Sequence, residues 1–136
     1  MADFRGRCAY AAAVAAVIAV IVSPEAAATR RASLKINAPS SVKVETLFTL
    51  KISGRVNKAD DVQVFYATKR CASSAGEEYG RAFGNMLIDE PVKRDHSGHF
   101  KTQRDHLFGG KPQKGRFCAY LVNAGIRASR TITFHG

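Results

Sequence analysis

Apolar residues recur at every second position in short segments from Ser33 onward, which is the period of strands with one buried face. Glycine, proline, asparagine and aspartate separate these segments. Six or seven such strands with short links predict an all-β fold, an immunoglobulin-like antiparallel β-sandwich of about seven strands. A closed barrel is the alternative architecture. The segments centre on residues 34–36, 48–52, 62–66, 117–121 and 132–134, with a further one opening at Phe100.

Two of these strands carry apolar residues on both faces. In 62–66 and 117–122, the side opposite the first apolar face holds Phe65, Cys118, Tyr120 and Val122. A strand that is apolar on both faces is typical of a position covered from two sides. We therefore expect both strands to be central in their sheet, with a second layer of chain over them.

The one long link, residues 72–95, supplies a candidate for that layer. Tyr79, Ala82, Phe83 and Met86 fall at i, i+3, i+4 and i+7, the spacing of a helical stripe. Ser74 and Glu77 have the spacing of a capping box, whereas Gly80 and Gly84 weaken a helix by about 1 kcal/mol each. The pattern predicts a short helix or an irregular lid, with those four apolar residues lying on the sheet.

The first 28 residues have the pattern of a signal-peptide helix. Arg5 and Arg7 precede an uncharged run of 15 residues, 8–22, which is short for a bilayer span of about 20 residues. Ala26 and Ala28 then offer the small-x-small pattern of a cleavage site. The sequence predicts cleavage after Ala28, leaving 29–136 as the mature domain; an uncleaved membrane anchor is the alternative. A cleaved chain is secreted, extracellular or retained in the cell envelope.

Two of the three cysteines and the net charge belong to this mature part. Of three cysteines, Cys8 leaves with the leader, and Cys71 and Cys118 remain as an even pair, for which export predicts a disulfide. Two free buried thiols are the alternative. The formal net charge of +10 also stays with the domain, because the leader holds two basic and two acidic residues.

Five stretches of the chain have a recognisable pattern: 38–44 (APSSVKV), 48–50 (FTL), 62–66 (VQVFY), Cys71 and 115–121 (GRFCAYL). Together they resemble a group of uncharacterised short secreted bacterial proteins that have a single immunoglobulin-like domain. The resemblance spans nearly all of residues 32–135 and implies the sandwich, the export and the cysteine pair, but no activity. The chain departs from the antibody pattern, since it contains no tryptophan and Cys71 follows the third strand. A bridge from a link to a neighbouring strand is therefore expected.

The sequence carries no local signature of catalysis, so no catalytic residue, metal ligand or cofactor is assigned and a non-enzymatic protein is expected. No Gly-x-Ser-x-Gly elbow accompanies the serines. His96, His99 and His106 could form part of a hydrolytic or metal site, yet on a strand His96 and His99 would point to opposite faces. A small secreted metal-binding protein or hydrolase that uses this region is the alternative function.

Positive charge is the strongest remaining chemical feature. Basic residues near strand ends could converge into a surface for an anionic envelope polymer, with salt-dependent binding; a solvated surface that keeps the protein soluble is the simpler interpretation. No motif for reading nucleic-acid bases accompanies them, and contact with the membrane is expected only through the leader before cleavage. We expect a non-catalytic binding or structural domain whose partner is an anionic polymer or another protein. The candidate residues are Lys69, Arg70, Lys93, Arg94, Lys111, Lys114, Arg116, Arg127 and Arg130.

Overall fold

The computed structural model describes residues 31–81 and 85–136, so the leader predicted for residues 1–28 lies outside the described residues. The body considered below is Ala32–Gly136. Within it the described residues form eight strands and one short helix. The strands are β1 (Ser33–Asn37), β2 (Ser41–Lys43), β3 (Leu47–Arg55), β4 (Asp61–Ala67), β5 (Met86–Pro91), β6 (His99–Leu107), β7 (Gln113–Leu121) and β8 (Ile126–His135), and the helix is α1 (Ala75–Arg81).

The strands build two sheets. The smaller sheet has the order β1-β3-β6, and the larger has the order β2-β8-β7-β4-β5. All pairings are antiparallel except that of β2 with β8. The predicted all-β, immunoglobulin-like sandwich is confirmed. Among the described residues, no helix is long and apolar enough to cross a membrane.

The main core consists of the alternating apolar residues that both sheets turn inward. Leu50 and Ile52 of β3 and Ile132 of β8 are fully buried, and Val64 of β4 and Phe117 of β7 join the same cluster. Each such side chain contributes about 1.5–3 kcal/mol when it leaves water. The period-two pattern therefore identified the residues that hold the sheets together.

A second, smaller cluster covers the outer side of β4 and β7, as the apolar residues on both faces of these strands predict. Phe65, Cys118 and Tyr120 are buried there, together with Cys71 and Ala75 from the chain that follows β4. The strand order places β7 and β4 inside the five-stranded sheet, which confirms that both are central. Val122 is the exception, because it lies just past the end of β7 and is exposed.

The predicted lid forms only in part. Helix α1 begins after Ser74, whose hydroxyl oxygen accepts a hydrogen bond from the Glu77 amide at 3.2 Å. The predicted buried stripe is wrong at Tyr79, which is 46% exposed; Ala75 and Glu78 are the buried residues of α1 instead. Ala82 and Phe83 lie outside the described residues, and Met86, which packs on the second cluster, begins strand β5.

Candidate functional site

The two cysteines form the predicted disulfide. Cys71, in the chain after β4, is bonded to Cys118 of β7, with the Cα atoms 5.7 Å apart. Cys118 pairs with Phe65 in the register of β4 and β7, so the bridge returns the chain to the strand next to the one it has just left. The bond therefore joins a link to a neighbouring strand, as expected from the position of Cys71.

A buried polar network surrounds this disulfide. The Glu78 carboxylate is 1% exposed, and its Oε1 accepts hydrogen bonds from the Ala72 amide at 2.9 Å and from the Tyr120 hydroxyl at 3.0 Å. The Tyr120 hydroxyl also lies 2.8 Å from the Ala72 carbonyl oxygen, to which Arg127 donates at 2.9 Å. Burial raises the pKa of the Tyr120 hydroxyl, and Glu78 raises it further. The network ties the first turn of the lid to β7 and β8 through bonds that do not involve sulfur.

The basic residues singled out in the sequence lie on different parts of the sandwich. Lys69 and Arg70 line a cavity of about 630 Å³ beside the disulfide, which Arg81 of α1 also lines. Arg116 pairs with Ala67 in the register of β7 and β4, and Lys114 lies two residues before it on the same face. These residues share the outer side of the five-stranded sheet.

The other basic residues predicted from the sequence lie on different surfaces or form hydrogen bonds within the protein. Lys93 and Arg94 follow β5 and line an open depression of about 580 Å³ beside the three-stranded sheet. Lys111 is exposed in the link between β6 and β7. Arg127 donates to the Ala72 carbonyl, and Arg130 Nε donates to the Ala38 carbonyl at 3.0 Å. The last two side chains therefore contribute to tying the chain together.

The outer face of the three-stranded sheet collects four cations around Ser53. Ser53 pairs with Lys35 of β1 on one side and with Lys101 of β6 on the other, so two strand spacings separate these lysines by about 10 Å at Cα. Lys51 and Arg55 lie two residues before and after Ser53 on β3, about 13 Å apart at Cα. We call Lys35, Lys51, Arg55 and Lys101 the basic sheet face.

Few acidic groups oppose this face. The ion pair found among the described residues joins Arg104 to Glu90, so no carboxylate there lies within 4.0 Å of the four cations. Asp105, on the same outer side, accepts a hydrogen bond from the Thr49 hydroxyl at 2.7 Å. Arg55 Nη2 lies 3.2 Å from His99 Nε2. These four cations differ from the basic residues predicted from the sequence, although strand alternation marks each of them as outward-facing.

Among the described residues, His96, His99 and His106 do not come together as a group of metal ligands. His99 and His106 lie seven residues apart on β6 and face opposite sides; His106 contacts Phe48 with ring centroids 6.2 Å apart. Burial lowers the pKa of His106. Ser97 Oγ donates to Asp95 Oδ1 at 2.8 Å and lies 3.0 Å from His99 Nδ1. Serine thus stands between the acid and the imidazole, whereas a catalytic triad needs the imidazole in the middle.

A different group of side chains brings three potential ligand atoms close together. Within the part of the chain that the structure describes, the one group of three or more histidine, cysteine and acidic residues with clustered donor atoms is Cys71, Glu78 and Cys118. The donor atoms of these buried residues lie within 4.8 Å of one another.

No protein-family model matches the chain. No curated protein matches it either. Among solved structures, it is similar to the CARDB domain of a Pyrococcus furiosus protein solved in complex with di-metal ions, with a TM-score of 0.53, 11% identity, and coverage of 78% of this chain and 90% of that one.

Two further solved structures are less similar. They are the sulfur carrier protein SoxY from Chlorobium limicola f thiosulfatophilum (TM-score 0.45, 12% identity, 76% of this chain and 79% of that one) and the PKD domain of an M14-like peptidase from a Thermoplasmatales archaeon (TM-score 0.44, 11% identity, 76% and 93%). At such identities a likeness concerns the fold alone. Together with the strand order, the CARDB comparison places this chain among immunoglobulin-like β-sandwiches.

Proposed function

We propose that this protein is a non-catalytic binding domain that works outside the cytoplasm and holds an anionic polymer of the cell envelope on the basic sheet face. The observation that carries the proposal is the exposed arrangement of Lys35, Lys51 and Lys101, with Arg55, around Ser53. Among the described residues these cations form no ion pair, so their charge is available for an external anion.

The shape of this surface favours an extended ligand over a small one. The outer face of a three-stranded sheet is broad and shallow, and small-molecule sites are normally concave and largely apolar. The cations are spaced about 8 Å from their diagonal neighbours, given the strand spacing and the rise along a strand. A polymer with repeated phosphate or carboxylate groups can contact several of them at once, and each contact releases condensed counterions.

Flanking residues extend the same surface. Lys93 and Arg94 line the depression beside the sheet together with Lys101, His99 and one acidic residue, Asp95. Two of the cations singled out in the sequence would therefore lie at the margin of the binding face. Lys69, Arg70 and Lys114 lie on the other sheet and are outside the proposed contact.

Export is part of the proposal. Cleavage after Ala28 would release a domain that begins at Thr29, and the disulfide supports an oxidising compartment because such bonds persist there. Intact-mass measurement of protein recovered from culture medium or envelope fractions should give an N-terminus at Thr29. Recovery of a chain that still carries residues 1–28 would contradict the cleavage and favour an anchor.

Binding can be tested on immobilised inorganic polyphosphate at a series of salt concentrations. Retention should fall as salt rises, with a slope set by the number of phosphate contacts. In the variant that combines Lys35→Gln, Lys51→Gln and Lys101→Gln, the slope of log affinity against log salt should decrease by about 2–3, because each contact contributes about 0.7–0.9.

The matched control removes the same charge from the other sheet. The variant that combines Lys69→Gln, Arg70→Gln and Lys114→Gln should keep nearly the full slope, because these residues lie away from the basic sheet face. Equal losses in the two variants would mean that net charge alone causes retention. A larger loss in the control would place the binding surface beside the disulfide, and either result would overturn the assignment to the basic sheet face.

A further inference from the structure

The donor atoms of Cys71, Cys118 and Glu78 form a compact buried group that the proposed polymer binding does not use. They lie within 4.8 Å of one another, and in the oxidised protein the two sulfurs are bonded together. Two thiolates and one carboxylate are the donor types that zinc accepts, at about 2.3 Å for sulfur and 2.0–2.2 Å for oxygen. Reduction of the disulfide would free both sulfurs, so that three potential ligands would lie close together.

Glu78 has a position that packing alone does not explain. A carboxylate that is 1% exposed is costly to bury, and its described partners are an amide and a hydroxyl rather than a cation. Both hydrogen bonds are accepted by Oε1, so ligation through Oε2 would require neither to break. The carboxylate can therefore serve as a ligand while it still holds Ala72 and Tyr120.

The surrounding bonds would keep the two cysteines together after reduction. Arg127 Nη1 donates to the carbonyl oxygens of Cys71 at 3.3 Å and Ala72 at 2.9 Å. On the other side, Cys118 is paired within the five-stranded sheet to Phe65 and to Ser129. None of these contacts depends on the sulfur–sulfur bond, so both thiols start from positions close to those of the bridge.

We propose that the reduced protein binds one Zn²⁺ through Cys71 Sγ, Cys118 Sγ and a Glu78 carboxylate oxygen, with the fourth position open to water. A trialkylphosphine and one water molecule convert the disulfide into two thiols and the phosphine oxide, so the phosphorus supplies the two electrons. Zinc then displaces the two thiol protons. A small-molecule disulfide can reoxidise the two thiolates by exchange; it accepts the two electrons and leaves as two thiols. This re-forms the bridge, removes both sulfur ligands and releases the metal, so the site is occupied in one redox state only.

The experiment compares zinc binding by the oxidised and phosphine-reduced protein, measured as competition with a chromogenic zinc chelator under anaerobic conditions. Reduced protein should take up one equivalent and oxidised protein none. Co²⁺ in place of zinc should give thiolate-to-metal charge-transfer absorption in the reduced protein. Near-ultraviolet circular dichroism follows the tertiary packing of the reduced protein with and without metal.

Two variants separate the proposed site from adventitious thiol binding. Glu78→Gln should weaken zinc binding by at least about tenfold, the lower end of the loss seen when even an outer-shell partner of a metal is changed. Glu77→Gln, an exposed neighbour on the same helix, should leave the affinity unchanged. Absence of zinc binding, equal affinity in the two variants, or a reduced protein that stays unfolded in excess zinc would each overturn the proposal. The polyphosphate result does not bear on it, because the basic sheet face lies on the other sheet.

Discussion

Substitution of Gly115 by alanine tests how tightly the aromatic side chains pack on the inner face of the five-stranded sheet. An added Cβ would lie 2.3 Å from the Tyr66 hydroxyl oxygen and 2.5 Å from Cζ, well inside the usual contact of about 3.5–4.0 Å. The Tyr66 ring has little room to yield, since the rings of Phe108, Phe117 and Phe134 have centroids 5.4, 5.9 and 5.8 Å from it. The overlap involves the buried ring rather than the end of a flexible chain.

We expect Gly115→Ala to cost about 3 kcal/mol, the upper part of the range for overpacking a well-filled core. At about 2.1 cal/mol/K of unfolding entropy per residue, a domain of about 105 residues should lose roughly 12–15 °C in Tm. Thermal and urea unfolding of the oxidised protein measure both quantities. Gly109→Ala is the matched control, because its Cβ would meet nothing within 4 Å, and its stability should change by less than about 1 kcal/mol.

A double-mutant cycle identifies the cause of the loss. In a Tyr66→Leu background the ring is gone, so adding Gly115→Ala should cost less than about 0.5 kcal/mol, and the coupling should be about 2–3 kcal/mol. If Gly115→Ala is as costly in the Tyr66→Leu background as in the otherwise unchanged protein, the contact with the ring is not the reason for the glycine. The predicted clash is also contradicted if Gly115→Ala alone changes stability as little as Gly109→Ala does.

Two further predictions concern a buried carboxylate and a buried imidazole. Asp60 accepts hydrogen bonds from its neighbour Asp61 and from the amides of Asn123 and Ala124 at 2.7 and 2.9 Å. Asp60→Ala should therefore cost about 2–3 kcal/mol in urea unfolding, and exposed Asp61→Ala less than about 0.5 kcal/mol; equal losses would contradict the role. Because burial lowers the pKa of His106, the unfolded chain binds more protons as pH falls below about 6.5, so His106 lowers stability there. His106→Leu should flatten this part of the pH–stability curve, and an unchanged acid limb would show that other groups cause it.

The sequence predicts the strands that have one face on the core. The alternation in β3, β4 and β7 is long enough to be read without the structure, and the double-sided pattern of β4 and β7 correctly placed them under a second layer. Two strands were missed for physical reasons. β2 has three residues, and β5 begins with the continuous apolar run Met86–Ile88, which also completed a helical stripe. A short apolar run does not discriminate between helix and strand.

The lid contains one feature that the local sequence pattern predicts and one that it does not. The sequence predicts the Ser74 cap correctly, because the cap involves residues only three positions apart. The prediction of the buried side of α1 is wrong. The apolar stripe favours Tyr79, whereas Glu78 is the residue that faces inward. Its burial depends on Tyr120, 42 residues away, and no signal in the helix itself encodes that contact.

The basic sheet face is not predicted from the sequence because two of its four members reach it only through strand register. Lys51 and Arg55 lie two residues from Ser53 on β3, but Lys35 and Lys101 become neighbours of Ser53 only when β1 and β6 pair with β3. Lysines on edge strands can also serve to prevent strands from pairing with another molecule. That role could account for Lys35 on β1 and Lys101 on β6, which are the edges of this sheet. It does not account for Lys51 and Arg55, because β3 is the central strand and is already paired along both of its edges. Charge on that central strand is therefore the feature that favours an external anion over protection of the edges.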